Sequence, residues 1–298
     1  MKKASYLFFL LFISFTAFSQ SPFHLGFFGG IASYQGDLVS RNFQQPKPAF
    51  GVTANYEVSD RFMLRGGFTL ARVAGADAKG KSEFLKEIRN LSFETNISEA
   101  SLIGELTVFN LYNIRWSPYF FAGVAVYHFD PYTYDSTNKK YYLQPLSTEG
   151  QGISAYPDRK PYKLTQLAIP LGGGIKFAIT DDIRLGFEIG TRKLFTDYLD
   201  DVSTDFVDPN ILLAERGPKA VELSYRGDEV PGEYATANGG VIYPDNGYPA
   251  KGVQRGNPKF KDYYYFTGIH LTFRIGNGGG SSGRGRNLKM YGCPANPL

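Results

Sequence analysis

The sequence predicts an all-β chain, an eight-stranded antiparallel transmembrane outer-membrane β-barrel with short periplasmic turns and long extracellular loops. Three observations predict it. Past residue 19 no apolar run reaches the roughly 18 residues a membrane helix needs, so any crossing has to be made of strands. Stretches of alternating apolar and polar residues recur along the chain, and short and long links alternate between them. Aromatic residues make up 16% of the chain, with Tyr 21 and Phe 25, while charged residues are held to 20%. Tyr and Phe suit pleated surfaces and the girdles of membrane barrels.

The elements follow in order. Met1, Lys2 and Lys3 precede an apolar run over 4–18 that meets small residues at Ala17 and Ser19, the pattern of a cleavable signal peptide over 1–19. Cleavage is expected before Gln20, which is not the cysteine of a lipid-anchored N-terminus. Strands are read at 23–33 and 48–58, and only Ser59 and Asp60 separate the second from the third at 61–72, a hairpin-length turn. A long link over 73–90 follows, whose 81–89 stretch is read as a helical turn or two. The fourth strand spans 91–109, the turn 110–118 is short, and the fifth strand spans 119–129. After an excursion over 130–161 rich in Tyr, Pro and Gly, strands at 162–179 and 183–195 flank Thr180, Asp181 and Asp182. The longest link, 196–262, leads to the eighth strand at 263–275. One barrel domain over 20–275 is expected, followed by a Gly- and Ser-rich tail over 276–298.

Side chains alternate between the two faces of a strand, so facing is readable. Ile183, Leu185, Phe187 and Ile189 are expected outward in the seventh strand, as are Tyr263, Tyr265, Ile269, Leu271 and Phe273 in the eighth. Phe62, Leu64, Phe68 and Leu70 follow in the third, with Ile175 and Phe177 in the sixth. The inward set is Arg65, Glu105, Lys176, Arg184, Glu188, Arg192, His270 and Arg274, with Thr272 among them. Inverting this parity would turn several cations toward lipid, at about 2–4 kcal/mol each near the midplane. The inward set holds both signs, so a salt-bridged, filled lumen is expected. The fifth strand is apolar on both parities, and its faces stay unassigned.

Composition sets further bounds. A mean hydropathy of −0.24 looks soluble, yet alternation hides a membrane band from averaging. A secreted β-sandwich shares this composition and stands as the alternative fold. Of the net charge of +4, Lys2 and Lys3 supply two, leaving +2 for the mature chain and no basis for nucleic-acid binding. The single cysteine, Cys293, excludes an internal disulfide and leaves a free thiol or an intermolecular bond.

Candidates for chemistry are few. The histidines are His24, His128 and His270; His128 is a possible base with Ser136 or Ser154 as nucleophile, but no spacing selects a partner. An interfacial or luminal histidine is the plainer account. Asp197, Asp200, Asp201, Asp205 and Asp208 could offer oxygen ligands to Ca²⁺, but the run lacks the EF-hand spacing and glycine, and solvated loop carboxylates are the plainer account. Gly172, Gly173 and Gly174 have no helix after them, so they are read as a kink or close strand packing instead of a phosphate cradle. The tail, with Arg284 and Arg286, is either a dispensable extension or a periplasmic docking arm with Cys293 placed for a disulfide.

Three segments carry a family likeness: 34–38 (YQGDL), 143–152 (LQPLSTEGQG) and 195–204 (FTDYLDDVST), the last including Asp197, Tyr198, Asp200 and Asp201. With the leader and the strand pattern, they make the chain resemble the PorG-like outer-membrane proteins of Bacteroidetes, a family whose namesake belongs to the type IX (Por) secretion machinery. The resemblance implies a barrel in outer-membrane lipid above a periplasmic ring built of a lipoprotein and its partner, with no catalysis and no cofactor. A small-solute pore or purely structural envelope barrel, and a lipid-modifying barrel enzyme using His128, are the alternatives. The sequence offers no nucleophile constellation for the enzyme.

Overall fold

The computed structural model describes residues 23–39, 43–79, 89–229 and 248–275. The leader, the tail with Cys293 and all but the last residue of the 81–89 stretch lie outside the described residues. In chain order the strands are β1 (Phe23–Gln35), β2 (Lys47–Glu57), β3 (Phe62–Ala76), β4 (Ser92–Thr107), β5 (Trp116–Tyr134), β6 (Lys140–Tyr142), β7 (Thr165–Ala178), β8 (Ile183–Leu194) and β9 (Tyr263–Ile275). Eight of them form a closed antiparallel barrel, because β1 pairs with β9 and β4 with β5 to complete the ring. The short β6 pairs with the end of β5 at Tyr132–Tyr134, beyond the barrel wall.

The wall follows the alternation. Phe68, Leu70, Phe120, Val124, Phe187 and Ile269 are exposed outward, while their strand neighbours Thr69, Phe121, Ala125, Glu188 and His270 are buried. No helix among the described residues is long and apolar enough to cross a membrane. The strands carry the apolar exterior.

One end of the barrel holds both strand termini and three tight turns. In the first, Phe62 N donates to Ser59 Oγ at 3.1 Å; in the third, Asp182 N and Ile183 N donate to Thr180 Oγ1 at 3.2 and 3.0 Å. In the second, Tyr112 N donates to Asn110 Oδ1 at 2.8 Å, a side-chain turn at the head of the link. The triple glycine sits where strands crowd: a Cβ on Gly174 would fall 1.9 Å from Phe187 O, and one on Gly172 2.5 Å from the Phe121 ring. Close packing accounts for it, with no phosphate cradle needed.

The other end carries a cap built from the long links. Asp208 caps helix α1 (Pro209–Arg216) by accepting from Asn210 N at 2.8 Å, and Pro209 opens its first turn. Helix α2 (Pro218–Ser224) follows directly. Leu212 and Ala220 bury under them against Ile153, Tyr156 and Val207. The main core runs without a break from Phe28 and Tyr127 inside the barrel to Leu199 and Val202 in the cap.

The structure departs from the sequence reading in that β1 runs to Gln35, β5 begins at Trp116, and the 130–161 and 196–262 links hold β6 and the two helices. β3 and β5 run on to Ala76 and Tyr134, because their backbone pairing with β4 continues past the last apolar outward residues, Leu70 and Val126. Tyr162, expected to open the sixth strand, lies before it and is buried in the cap. The faces of β5 are resolved, with Tyr119, Phe121, Ala125 and Tyr127 inward and Phe120, Val124 and Val126 outward.

Candidate functional site

The lumen is the first concentration of chemistry. At mid-barrel Lys176 pairs with Glu105, and Arg65 lies 2.7 Å from Glu188 and 3.8 Å from Glu105. Tyr119 donates to Glu188 at 2.9 Å, and Phe121 lies under the Arg65 guanidinium at 5.0 Å. Arg65 donates to His270 Nδ1 at 3.2 Å, so Nδ1 accepts and Nε2 carries the proton that reaches Thr53 at 2.8 Å. Toward the cap, Arg192 meets Glu99 in a two-point contact of 3.1 and 3.2 Å, and Tyr264 donates to the same carboxylate at 2.6 Å. At the turn end Glu57 gathers Arg184, His24 at 3.4 Å and Arg274 at 3.8 Å. Tyr112 folds in from its turn to donate to Glu57 at 2.7 Å, and Arg184 and Arg274 stand over its ring at 5.4 and 5.5 Å.

The eight inward residues expected from the sequence therefore sit in three stacked ion clusters, with Arg274 partly exposed at the mouth. Glu57, Glu99 and Tyr112, which the sequence reading did not single out, complete these clusters together with His24, which it named among the histidines but gave no face. Glu99 stands six residues before Glu105, on the same parity, so alternation alone could have found it. The mid-lumen cavity beside Arg65, Glu188 and His270 holds about 20 Å³, room for about one water.

The cap is the second concentration, and the three signature segments converge in it. Tyr34 reaches Asp200 at 2.5 Å and Asp262 at 3.0 Å, all three fully or almost fully buried. Thr148 donates to Asp201, as does Tyr162 at 2.7 Å, and the Tyr162 ring stacks on Tyr198 at 4.8 Å. Glu149, fully buried, accepts from Ser203 N at 2.9 Å, Thr204 N at 3.0 Å and Arg255 at 2.9 Å. Arg255 also lies 3.8 Å from Asp201, and Arg89 clasps Asp77 at 2.8 and 2.7 Å nearby.

Burial pushes the carboxyls of this cluster up. Asp200 and Asp262 are raised well above the usual range by burial first and by neighbouring carboxylates next, each other for Asp200 and Asp197 for Asp262. Asp197 is pushed up to about 7 by burial, and Asp201 to about 6 against the pull of Arg255. The geometry says the same of the central pair. Tyr34 has one proton and two carboxylate oxygens within reach, so the second contact is a hydrogen bond when one of the two acids is protonated and donates back.

The acidic run is thus divided among private partners: Asp197 with Ser203 at 2.8 Å, Asp205 with Arg159 at 2.8 Å, and Asp208 with α1. Among the described residues no group of three or more His, Cys, Asp or Glu side chains is arranged to hold a metal ion. His128 lies outward on β5 and bonds Thr165 at 2.9 Å; Ser136 and Ser154 sit exposed in the loop beyond and are not its partners.

A closed β-barrel with an apolar exterior and an ion-paired interior is a membrane barrel. Residues 2–208 match DUF6089, described as a domain of unknown function, and the chain belongs to that family. No curated protein matches the sequence. Among solved structures, Neisserial surface protein A is similar at 8% identity and a TM-score of 0.40, over 86% of this chain and 98% of that one. Ail, the attachment invasion locus protein of Yersinia pestis, is similar at 6% identity and 0.39, over 86% and 99%. OprG of Pseudomonas aeruginosa is similar at 10% identity and 0.35, over 86% and 99%. Similarity this low is silent on function.

Proposed function

We propose that the chain is a non-enzymatic outer-membrane barrel that serves as the membrane anchor of a secretion assembly of the type IX kind, docking on a periplasmic ring. The packed lumen carries this reading: three ion clusters and a residual cavity of about 20 Å³ leave a scaffold with no passage through it. The turn end, with strand termini and three tight turns on one side, is the side that would meet the ring. The type IX assignment is supported by the sequence resemblance, whose three segments meet in the cap. A small-solute pore would need an open lumen, and the Tyr112 plug over Glu57 argues against one.

Tagged full-length protein is recovered from detergent-solubilised envelopes and its companions are identified by mass spectrometry. Ring components are expected among them. Deleting residues 276–298 is expected to leave a barrel that still shifts on unboiled gels but recovers fewer ring components; undiminished recovery rejects the docking arm. Cys293→Ser is expected to remove a disulfide-linked heavier band on non-reducing gels. The cross-link idea fails if the parent shows no such band.

A further inference from the structure

Where the outward faces of β1, β8 and β9 meet the cap, a cavity of about 1040 Å³ opens on the outside of the barrel. Gln35, Thr191, Tyr263 and Tyr265 form its floor, all on the outward parity of their strands, and the 253–261 segment forms its roof. That roof is fixed in place. Arg255 N and Gly256 N donate to Thr204 O at 2.8 and 2.7 Å, and Asn257 N donates to Asp37 at 3.0 Å. A Cβ on Gly256 would stand 2.6 Å from Ser203 N, which shows how closely the segment lies on the cap.

Three lysines line this one cavity. Lys259 and Lys261 hang from the roof, and Lys193 stands on the wall with its Cα paired to that of Tyr263. Lys261 hydrogen-bonds only the uncharged Pro258 O, at 3.0 Å, and the acid that feels its charge is Asp197, whose own carboxyl is pushed up by burial. The cavity's acid, Asp37, already accepts from Asn257 N, and its two arginines are held by Asp77 and by Glu149. Between the roof lysines stands Phe260, 73% exposed and the most exposed large apolar side chain among the described residues. Below the floor the wall continues outward as Ile189, Ile269 and Phe187, the apolar belt.

We propose that this cavity seats the phosphate of an anionic lipid in the surrounding leaflet, held by Lys193, Lys259 and Lys261, with Phe260 laid against its acyl chains. Positive charge alone would suit any anion. An aromatic ring left in solvent between two of the lysines, and a floor continuous with the lipid-facing wall, select an anion that carries a hydrocarbon tail. The site is independent of any secretion partner, since it lies on the lipid side of the barrel.

The test uses the full-length protein in zwitterionic detergent micelles, offered equal amounts of palmitoyl-oleoyl phosphatidic acid and phosphatidylcholine, with bound lipid counted by native mass spectrometry. The parent is expected to retain phosphatidic acid at least about tenfold over phosphatidylcholine. The triple variant K193Q/K259Q/K261Q is expected to bring the two near parity while its gel shift on heating stays unchanged. F260S should lower retention of both lipids. K139Q/K140Q, on the distant β6 hairpin, should keep the preference. Parity in the parent, or an undiminished preference in the triple variant, overturns the proposal. Displacement of the lipid by millimolar inorganic phosphate also overturns it, because the site would then be one for a free anion.

Discussion

Arg65→Met removes one charge from the mid-lumen and leaves the others in place. Arg65 is 3% exposed and Glu188 8%, so the bereft carboxylate has no route to bulk water. Glu188 keeps the Tyr119 hydroxyl at 2.9 Å but no cation in contact, while Glu105 keeps Lys176. Breaking a buried pair by removing one partner costs about 3–5 kcal/mol, and Glu188→Leu should cost a similar amount, because it leaves Arg65 and Lys176 to share the single carboxylate of Glu105. The double variant R65M/E188L behaves differently. It leaves Lys176 and Glu105 as a balanced pair and orphans only neutral atoms, the Tyr119 hydroxyl and His270 Nδ1, for about 1–2 kcal/mol. The single costs should therefore exceed the double cost by about 4 kcal/mol or more when summed. Urea unfolding in vesicles reads this, with Trp116, the sole tryptophan, 46% exposed on the lipid side, reporting its transfer to water. The reasoning is refuted if R65M costs under about 1 kcal/mol, or if the double variant costs the sum of the singles.

Two further outcomes follow from other parts of the fold. Gly174→Val places a Cβ 1.9 Å from the Phe187 carbonyl and should prevent β7 from pairing with β8, so no heat-shifting band forms on unboiled gels; a normal band sinks this account of the glycine run. The cap should loosen as pH rises, since between the unfolded value near 4 and the raised folded values the native cap holds protons the open chain has lost. Asp201 alone, raised to about 6, contributes about 3 kcal/mol present below pH 4 and lost through pH 6, so hydrogen exchange over 197–205 should quicken beyond its intrinsic pH dependence. Asp200→Asn, uncharged throughout, should flatten part of that rise.

The alternation of the wall was legible because lipid tolerates no cation: Arg65, Lys176 and Arg184 each fix the parity of a strand. β5 resisted because its inward face is aromatic instead of polar. Tyr119 and Phe121 face inward to meet Glu188, Lys176 and Arg65 through a hydroxyl and ring faces, and a rule based on polarity does not see them. Helix α1 had a readable start in Asp208 and Pro209, a signal the loop reading passed over. The cap had no such signal. Glu149 and Arg255 stand 106 positions apart and Tyr34 and Asp262 stand 228 apart, and contacts made by irregular loops leave no period in the sequence. Nothing in the three signature segments says that they touch one another, as Thr148 with Asp201 and Glu149 with Ser203 do.

The anchoring of the cap says which motions the barrel permits. Tyr34 ends β1, Asp262 precedes β9 and Asp200 follows β8, so the central acid cluster ties together the ends of three adjacent strands. Their ladders already reach Gln35 opposite Tyr263 and Lys193 opposite Tyr263 without it. Releasing the cluster therefore frees loops and breaks no wall hydrogen bond. A signal to the turn end would have to travel through the lumen, where moving Arg192 or Arg65 leaves Glu99 or Glu188 without a cation in contact. The two ends should respond independently. Asp200→Asn is expected to quicken hydrogen exchange over 197–205 and leave the turn that carries Tyr112 unchanged. Faster exchange at residues 110–115 in that variant would show that the packed lumen transmits, and the scaffold would have to be treated as one coupled unit.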